Sequence, residues 1–99
     1  MLKERIQTRG EILRIVRSTG PAGMSVEGVA RVMLRAGRVG VFVHLEEDIV
    51  YLTEKGYLTR RLFREEFSGV ERWVLNITPK GMDLLDGIIT TDPGVQSVF

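Results

Sequence analysis

The chain of 99 residues contains no cysteine and only one histidine. Without cysteine it has no disulfide framework, no thiolate nucleophile and no zinc site built from thiolates. Long hydrophobic runs are missing too, because charged residues interrupt every apolar stretch before the roughly 20 residues that a membrane helix needs. The first five residues do not lead into an uncharged apolar stretch of the signal-peptide kind. We therefore expect a cytoplasmic protein that does not span a membrane.

A large excess of either charge is also lacking, since 14 Lys and Arg face 13 Asp and Glu, a net charge of +1. Proteins that bind polyanions usually carry a basic excess, so the total charge gives no support for nucleic-acid binding. The distribution is uneven, however: residues 1–19 carry +3 and residues 20–40 carry +2, whereas residues 41–58 carry −3. Any electrostatic function must therefore come from the placement of the charges.

Hydrophobic spacing predicts two helices in the first forty residues. The first, about 2–19, has an apolar face among basic side chains and ends at Gly20-Pro21. Ser25 follows and can cap a second helix through its hydroxyl. Three arginines are expected to face away from the core side of this second helix: Arg31, Arg35 and Arg38.

A third helix is predicted over about 41–55 and is expected to end at Gly56, where glycine can adopt the left-handed conformation that closes helices. Its core stripe is Leu45, Ile49 and Leu52.

From Leu58 the pattern changes to alternation, which predicts two strands joined near residues 67–70. Thr78-Pro79 then suits the cap and first turn of a fourth short helix that ends near Gly87. Residues 88–99 show no dependable period, and we expect an extended or mobile tail.

Two motifs carry a resemblance to a known family. Leu-Glu-Glu-Asp-Ile-Val-Tyr-Leu-Thr-Glu-Lys-Gly-Tyr-Leu at positions 45–58 resembles the recognition helix and first wing strand of winged-helix regulators. Trp-Val-Leu-Asn-Ile-Thr-Pro-Lys-Gly-Met at positions 73–82 is similar to their second wing strand and final helix start. The resemblance implies an α+β winged helix-turn-helix domain over 1–87, with a three-helix core, a two-stranded β-hairpin wing and a short C-terminal helix.

A narrower likeness concerns the end of the chain. Gly-Met-Asp-Leu-Leu-Asp-Gly at positions 81–87 and Asp-Pro-Gly at positions 92–94 resemble short winged-helix proteins of Mu-type transposable phages.

What the resemblance implies is a double-stranded DNA-binding regulator whose third helix enters the major groove and whose wing meets phosphates. The outer face of the predicted third helix, however, lacks any Arg, Lys, Asn or Gln. It carries Val43, Glu47, Val50 and Glu54, flanked by His44 and Tyr51. Carboxylates near phosphates oppose binding, so base contact from this helix is less favoured than in a typical DNA-binding protein.

The wing offers better candidates, because four arginines lie on its two predicted strands. Alternation places Arg60 and Arg64 on one face and Arg61 on the other, so these side chains do not all point the same way. They either contact phosphates or pair with neighbouring glutamates on a solvated ribbon. The residues expected to contact DNA are Arg60, Arg61, Arg64, Arg72, His44, Arg35 and Arg38.

The alternative is a winged helix that binds protein, either through the third helix or through the apolar tail that ends at Phe99. The residues for this function are Val43, Glu47, Val50 and Tyr51. Tyr51 has a competing explanation, because it can simply pack under the wing. Trp73 shares a strand face with Leu75 and is expected in the core. A homodimer would double the basic helix ends and suit a two-fold operator.

Enzymatic chemistry has little support in the sequence. His44 and Asp48 stand four residues apart and could supply two metal ligands, but no second histidine or cysteine completes a site. A surface His–Asp pair is the better explanation. We expect no catalytic activity, no metal and no cofactor.

Overall fold

The computed structural model describes residues 2–38, 43–88 and 92–95. Within these residues the chain is an α+β protein with four α-helices and one antiparallel sheet of three strands. The helices are α1 (Leu2–Ser18), α2 (Val26–Arg35), α3 (Leu45–Glu54) and α4 (Pro79–Leu85). The strands are β1 (Met24–Ser25), β2 (Leu58–Arg64) and β3 (Glu71–Ile77), and a 3₁₀ turn spans Gly20–Ala22.

Local signals in the sequence fix several helix ends. The Ser25 hydroxyl accepts a hydrogen bond from the Gly28 amide at 3.0 Å, which confirms the predicted cap of α2. The Thr78 hydroxyl accepts from the Gly81 amide at 3.0 Å, directly before Pro79 in the first turn of α4.

The end of α3 also follows the prediction. Gly56 has φ of 82°, and the Tyr57 amide donates to the Leu52 carbonyl at 3.0 Å. This is the closure that a left-handed glycine permits.

The start of α3 differs from the prediction, which placed it near residue 41. The helix begins at Leu45, and His44 before it has φ of −119° and ψ of 7°, outside the helical region. The apolar residues 41–43 continue the helical spacing, so the pattern alone does not show that the helix begins only at Leu45. A better signal is the acidic first turn, because carboxylates are favoured near the positive end of a helix. Residues 41 and 42 of the predicted helix lie outside the described residues.

The sheet has the order β1-β3-β2, so the hairpin of β2 and β3 gains a third strand that the sequence did not predict. Met24 pairs with Leu75, and Ser25 pairs with Val74. A strand of two residues is too short to show alternation, which explains why the pattern missed it.

One core lies between the inner face of the sheet and the helices. α1, the longest element, supplies Ile12, Leu13 and Val16, while α3 supplies its predicted stripe. The fully buried members of this core are Ile12, Leu13, Val16, Val29, Met33, Ile49, Leu52, Leu75 and Leu84.

Trp73 does not belong to this core, contrary to the prediction. Its neighbour on the same strand face, Leu75, is fully buried, whereas Trp73 is 42% exposed. Every residue from 61 to 73 is exposed, so the half of the hairpin nearest its turn extends past the helices. Alternation gave the correct face for Trp73 but carries no information on how far the helices reach beneath the strand.

Candidate nucleic-acid interface

The hairpin separates its arginines by face. In the register of the two strands, Arg60 lies opposite Leu75 and Arg61 lies opposite Val74. Directly opposed residues share a face of the sheet. Arg60 and Arg64 therefore lie on the inner face with the buried Leu75, and Arg61 and Arg72 lie on the outer face, as alternation predicts for Arg60, Arg61 and Arg64.

Both inner-face arginines are paired with carboxylates. Arg60 donates two hydrogen bonds, of 2.6 and 3.2 Å, to the Glu46 carboxylate of α3. Its guanidinium also lies over the Trp73 ring, 4.8 Å from the ring centre. Arg64 donates to Glu71 on the opposite strand at 2.5 Å. These two cations are neutralised within the protein.

The outer-face arginines have no carboxylate partner among the described residues. Arg61 has one long hydrogen bond, 3.5 Å from its Nε to the side-chain oxygen of Asn76. Arg72 makes no hydrogen bond or ion pair with any described residue. Both side chains are exposed, so the outer face presents two uncompensated cations on adjacent strands.

The candidates outside the hairpin do not gather at one place. Arg35 is exposed in the last turn of α2. Arg38 does not face away as predicted, because it turns back to α1 and pairs with Glu11 and the Thr8 hydroxyl. Residues just after a helix no longer follow its period, so the helical projection fails there.

His44 does not form the expected surface pair with Asp48. Its Nδ1 lies 3.4 Å from a carboxylate oxygen of Glu47, a contact that is an ion pair only when the histidine is protonated. Asp48 is turned inward.

The outer face of α3 is less acidic than its sequence indicates. Of its exposed carboxylates, Glu46 is held by Arg60 and Glu47 by Arg5 of α1, at 3.1 Å. Glu54 has no ion pair with a described residue. Val43 and Val50 are 77% and 39% exposed, so this face keeps open apolar side chains.

Asp48 is the residue whose role the sequence prediction missed, because it was expected on the surface beside His44. The side chain is only 1% exposed, and Arg9 donates to its carboxylate at 2.9 Å. Arg5 adds a second contact at 3.3 Å. Buried charges are stable only when paired and hydrogen-bonded, and α1 supplies both partners.

Residues 92–95 complete this polar cluster. The Arg9 guanidinium stacks on the Tyr51 ring, 3.8 Å from its centre, and donates to the Gly94 carbonyl at 3.2 Å. The Asp92 carboxylate accepts from the Tyr51 hydroxyl at 3.0 Å and from the Tyr57 hydroxyl at 2.7 Å. We call this cluster the clamp; it consists of Arg9, Asp48, Tyr51, Tyr57, Asp92 and Gly94.

The clamp changes the interpretation of two predicted surfaces. Tyr51, assigned above to a protein-binding face, is half-buried under Arg9 and hydrogen-bonded to Asp92. Within the predicted tail, the Val95 amide donates to the Asp92 carbonyl at 3.0 Å, and the Val95 side chain is buried in the core. Phe99 lies outside the described residues.

Burial and hydrogen bonding shift the acidity of the clamp. Burial, and then the hydrogen bond to Asp92, raise the pKa of Tyr57 from 10.0 to about 12. The same two causes raise the pKa of Tyr51. Burial acts to raise the pKa of Asp92, but the hydrogen bonds from Tyr57, Gly94 and Tyr51 have the larger combined effect. The pKa of Asp92 is therefore lowered. The clamp is thus poised with charged Asp92 and neutral tyrosines at neutral pH.

Among the described residues, no group of three or more His, Cys, Asp and Glu side chains is arranged to hold a metal ion. No helix in that part of the chain is long and apolar enough to cross a membrane. Comparisons with models of protein families, with curated proteins and with solved structures give no match to this chain.

Proposed function

We propose that this chain is a DNA-binding protein of the winged helix-turn-helix class, acting as a small regulator on double-stranded DNA. The order of its elements supports the class, since α1, α2 and α3 precede the β2–β3 hairpin and α4 closes the domain. In this assignment the hairpin is the wing. The motifs at positions 45–58 and 73–82 support the same class.

The observation that carries the proposal is the pair Arg61 and Arg72 on the outer face of the wing. An arginine already held by a carboxylate must break that pair before it can neutralise a phosphate, and this cost removes much of the gain. Arg61 and Arg72 carry no such cost. Their positions on neighbouring strands suit two contacts along one phosphate backbone.

The outer face of α3 contributes less to this function. It offers no guanidinium or amide to base edges, and its exposed carboxylates repel phosphates. Its two paired carboxylates, Glu46 and Glu47, weaken this repulsion without reversing it. Binding therefore rests on phosphate contacts, which position a protein on DNA but carry little sequence information.

The test is fluorescence anisotropy with a labelled duplex at about 50 mM and about 200 mM salt. The Arg61→Ala, Arg72→Ala double variant should lower the affinity and flatten the salt dependence, by about 0.9 in the logarithmic slope for each lost phosphate contact. Arg64→Ala is the matched control, since it removes a wing arginine already paired with Glu71. Absence of binding at low salt, or equal losses in the double variant and the control, would refute the proposal.

A second candidate function is the binding of a protein partner. It is favoured by the exposure of Val43, which lies just before α3, and of Val50, which lies within α3. Open apolar side chains of this kind are typical of partner surfaces rather than of phosphate contacts. If this surface is used, Val43→Asp and Val50→Asp abolish partner capture and leave the circular dichroism spectrum unchanged. Loss of that spectrum would instead show that the valines are needed for folding.

A further inference from the structure

The turn of the hairpin presents an apolar and acidic surface that nothing in the described structure covers. We call residues 65–70 the hairpin tip. Phe67 at its centre is 97% exposed, and Val70 is exposed as well. Glu65 and Glu66 have no ion pair with any described residue.

The tip is an ordered turn rather than a loose loop. The Glu65 amide donates to the Val70 carbonyl at 2.8 Å, and the Gly69 amide donates to the Glu65 carbonyl at 2.9 Å. Gly69 takes the positive φ of 71° that this turn requires. Phe67 is therefore held outward by a hydrogen-bonded frame, and docking it costs little conformational entropy.

The chemistry of the tip does not suit DNA. Glu65 and Glu66, directly before Phe67 and without an ion pair among the described residues, would meet phosphates of the same sign. A suitable partner offers the opposite combination, an apolar floor with basic residues around it.

The chain itself carries such a surface in its basic part, on α1 and α2. A groove of about 460 Å³ lies between α1 and the end of α2. Its apolar floor is formed by Ile15, Val32 and Ala36. Arg14 and Arg38 also line it, together with Glu11, which Arg38 already neutralises. Arg35 is exposed at the end of α2, between Val32 and the capping residue Ala36.

We propose that the hairpin tip of one molecule docks in the α1–α2 groove of a second copy. Phe67 occupies the floor beside Val32, and Glu65 and Glu66 approach Arg35, which has no ion pair with a described residue. No hairpin residue lines the groove, so the contact joins two different surfaces and is head-to-tail. The proposal does not depend on DNA binding, because neither Arg61 nor Arg72 takes part.

The experiment measures the mass of the pure protein by sedimentation and light scattering, between about 10 µM and about 1 mM, a range that detects weak contacts. The 11.2 kDa chain should show a mass that rises with concentration. High salt should weaken the association, because the paired surfaces are oppositely charged.

Three variants locate the contact. Phe67→Ser removes the tip, and Val32→Asp places a carboxylate on the groove floor; each should weaken self-association at least about tenfold, as removal of a central contact residue does. Ile88→Ser is the control, since it removes an apolar side chain that is 71% exposed and belongs to neither surface. Its association should equal that of the unaltered chain. Circular dichroism and thermal melting verify that each variant is folded.

A mixture then tests the head-to-tail geometry. The Phe67→Ser chain keeps its groove, and the Val32→Asp chain keeps its tip, so the two together should form a one-to-one complex at concentrations where each alone is largely monomeric. A chain that stays monomeric at all concentrations, a variant that associates as strongly as the control, or a mixture that forms no complex would each overturn the proposal.

Discussion

The clamp and the hairpin tip both contain aromatic rings and carboxylates. In the clamp these side chains are hydrogen-bonded to one another, whereas at the tip they are exposed. In the clamp, Asp92 accepts hydrogen bonds from both Tyr51 and Tyr57. At the tip, Phe67 and its neighbouring carboxylates have no partner among the described residues. The side chains of the clamp connect elements that are distant in sequence, whereas Phe67 and the two carboxylates of the tip connect the turn to no other described element.

This difference separates residues that hold the fold from residues that are free to bind. Buried polar groups contribute only while every partner is present, because an orphaned charge carries the full cost of desolvation. An exposed ring contributes almost nothing to the folded monomer. We therefore expect substitutions in the clamp to change stability and substitutions at the tip to change association alone.

Asp48→Ala should have the largest effect on stability. It leaves Arg9 buried without its carboxylate, and removal of one partner from a buried pair costs about 3–5 kcal/mol. Urea denaturation measures the free energy of unfolding. Glu47→Ala is the matched control at the adjacent position, where the carboxylate is exposed and its removal should cost less than about 1 kcal/mol. Equal effects at both positions would show that the clamp does not stabilise the fold.

Tyr57→Phe should have an intermediate effect, since it removes one hydrogen bond to Asp92 and costs about 1 kcal/mol at neutral pH. The variant should also change the alkaline limb of the stability profile. The pKa of Tyr57 in the folded protein is about 12, above its ordinary value of 10.0. The stabilisation from this group is therefore complete below pH 10 and is lost as the pH rises toward about 12.

The measurement is the free energy of unfolding from neutral pH to about 12 for both chains. Because Phe does not titrate, the variant should lose less stability than the unaltered chain across the alkaline range. Parallel profiles would contradict the role given to Tyr57.

Phe67→Ser should have the smallest effect, a change in the free energy of unfolding within about 0.5 kcal/mol. The ring makes no contact that folding creates, because it is almost as exposed in the folded protein as in an unfolded chain. The same denaturation experiment checks this expectation. A loss comparable to that of Tyr57→Phe would remove the distinction between the tip and the clamp.

The parts of the fold that were predictable depend on neighbouring residues. The helix caps at Ser25 and Thr78 and the glycine closure at Gly56 involve groups within a few positions of one another, and each hairpin strand follows from alternation along its own residues. The structure confirms these features. The faces of Arg60 and Arg61 followed from alternation in the same way. The periodicities that reveal such features are local by nature.

The clamp could not be predicted, because its contacts join residues far apart in the chain. Arg9 and Asp48 are 39 positions apart, and Arg9 and Gly94 are 85 apart. Asp48 resembled a surface residue because the acidic turn around it is exposed, and no local pattern marks it as the carboxylate of that turn that is buried. The pairing of Arg60 with Glu46, which separates engaged from free arginines on the wing, is hidden for the same reason.

The span of Arg9 has a kinetic consequence. Arg9 contacts both Asp48 of α3 and Gly94, so it reaches its full set of partners only after two long loops have closed. Closing a loop costs chain entropy before the contacts that it brings together can form. The clamp is therefore expected to form after the folding transition state. Interactions that form so late slow unfolding without speeding folding. We therefore expect substitution of Arg9 to shorten the lifetime of the native state more than it slows folding.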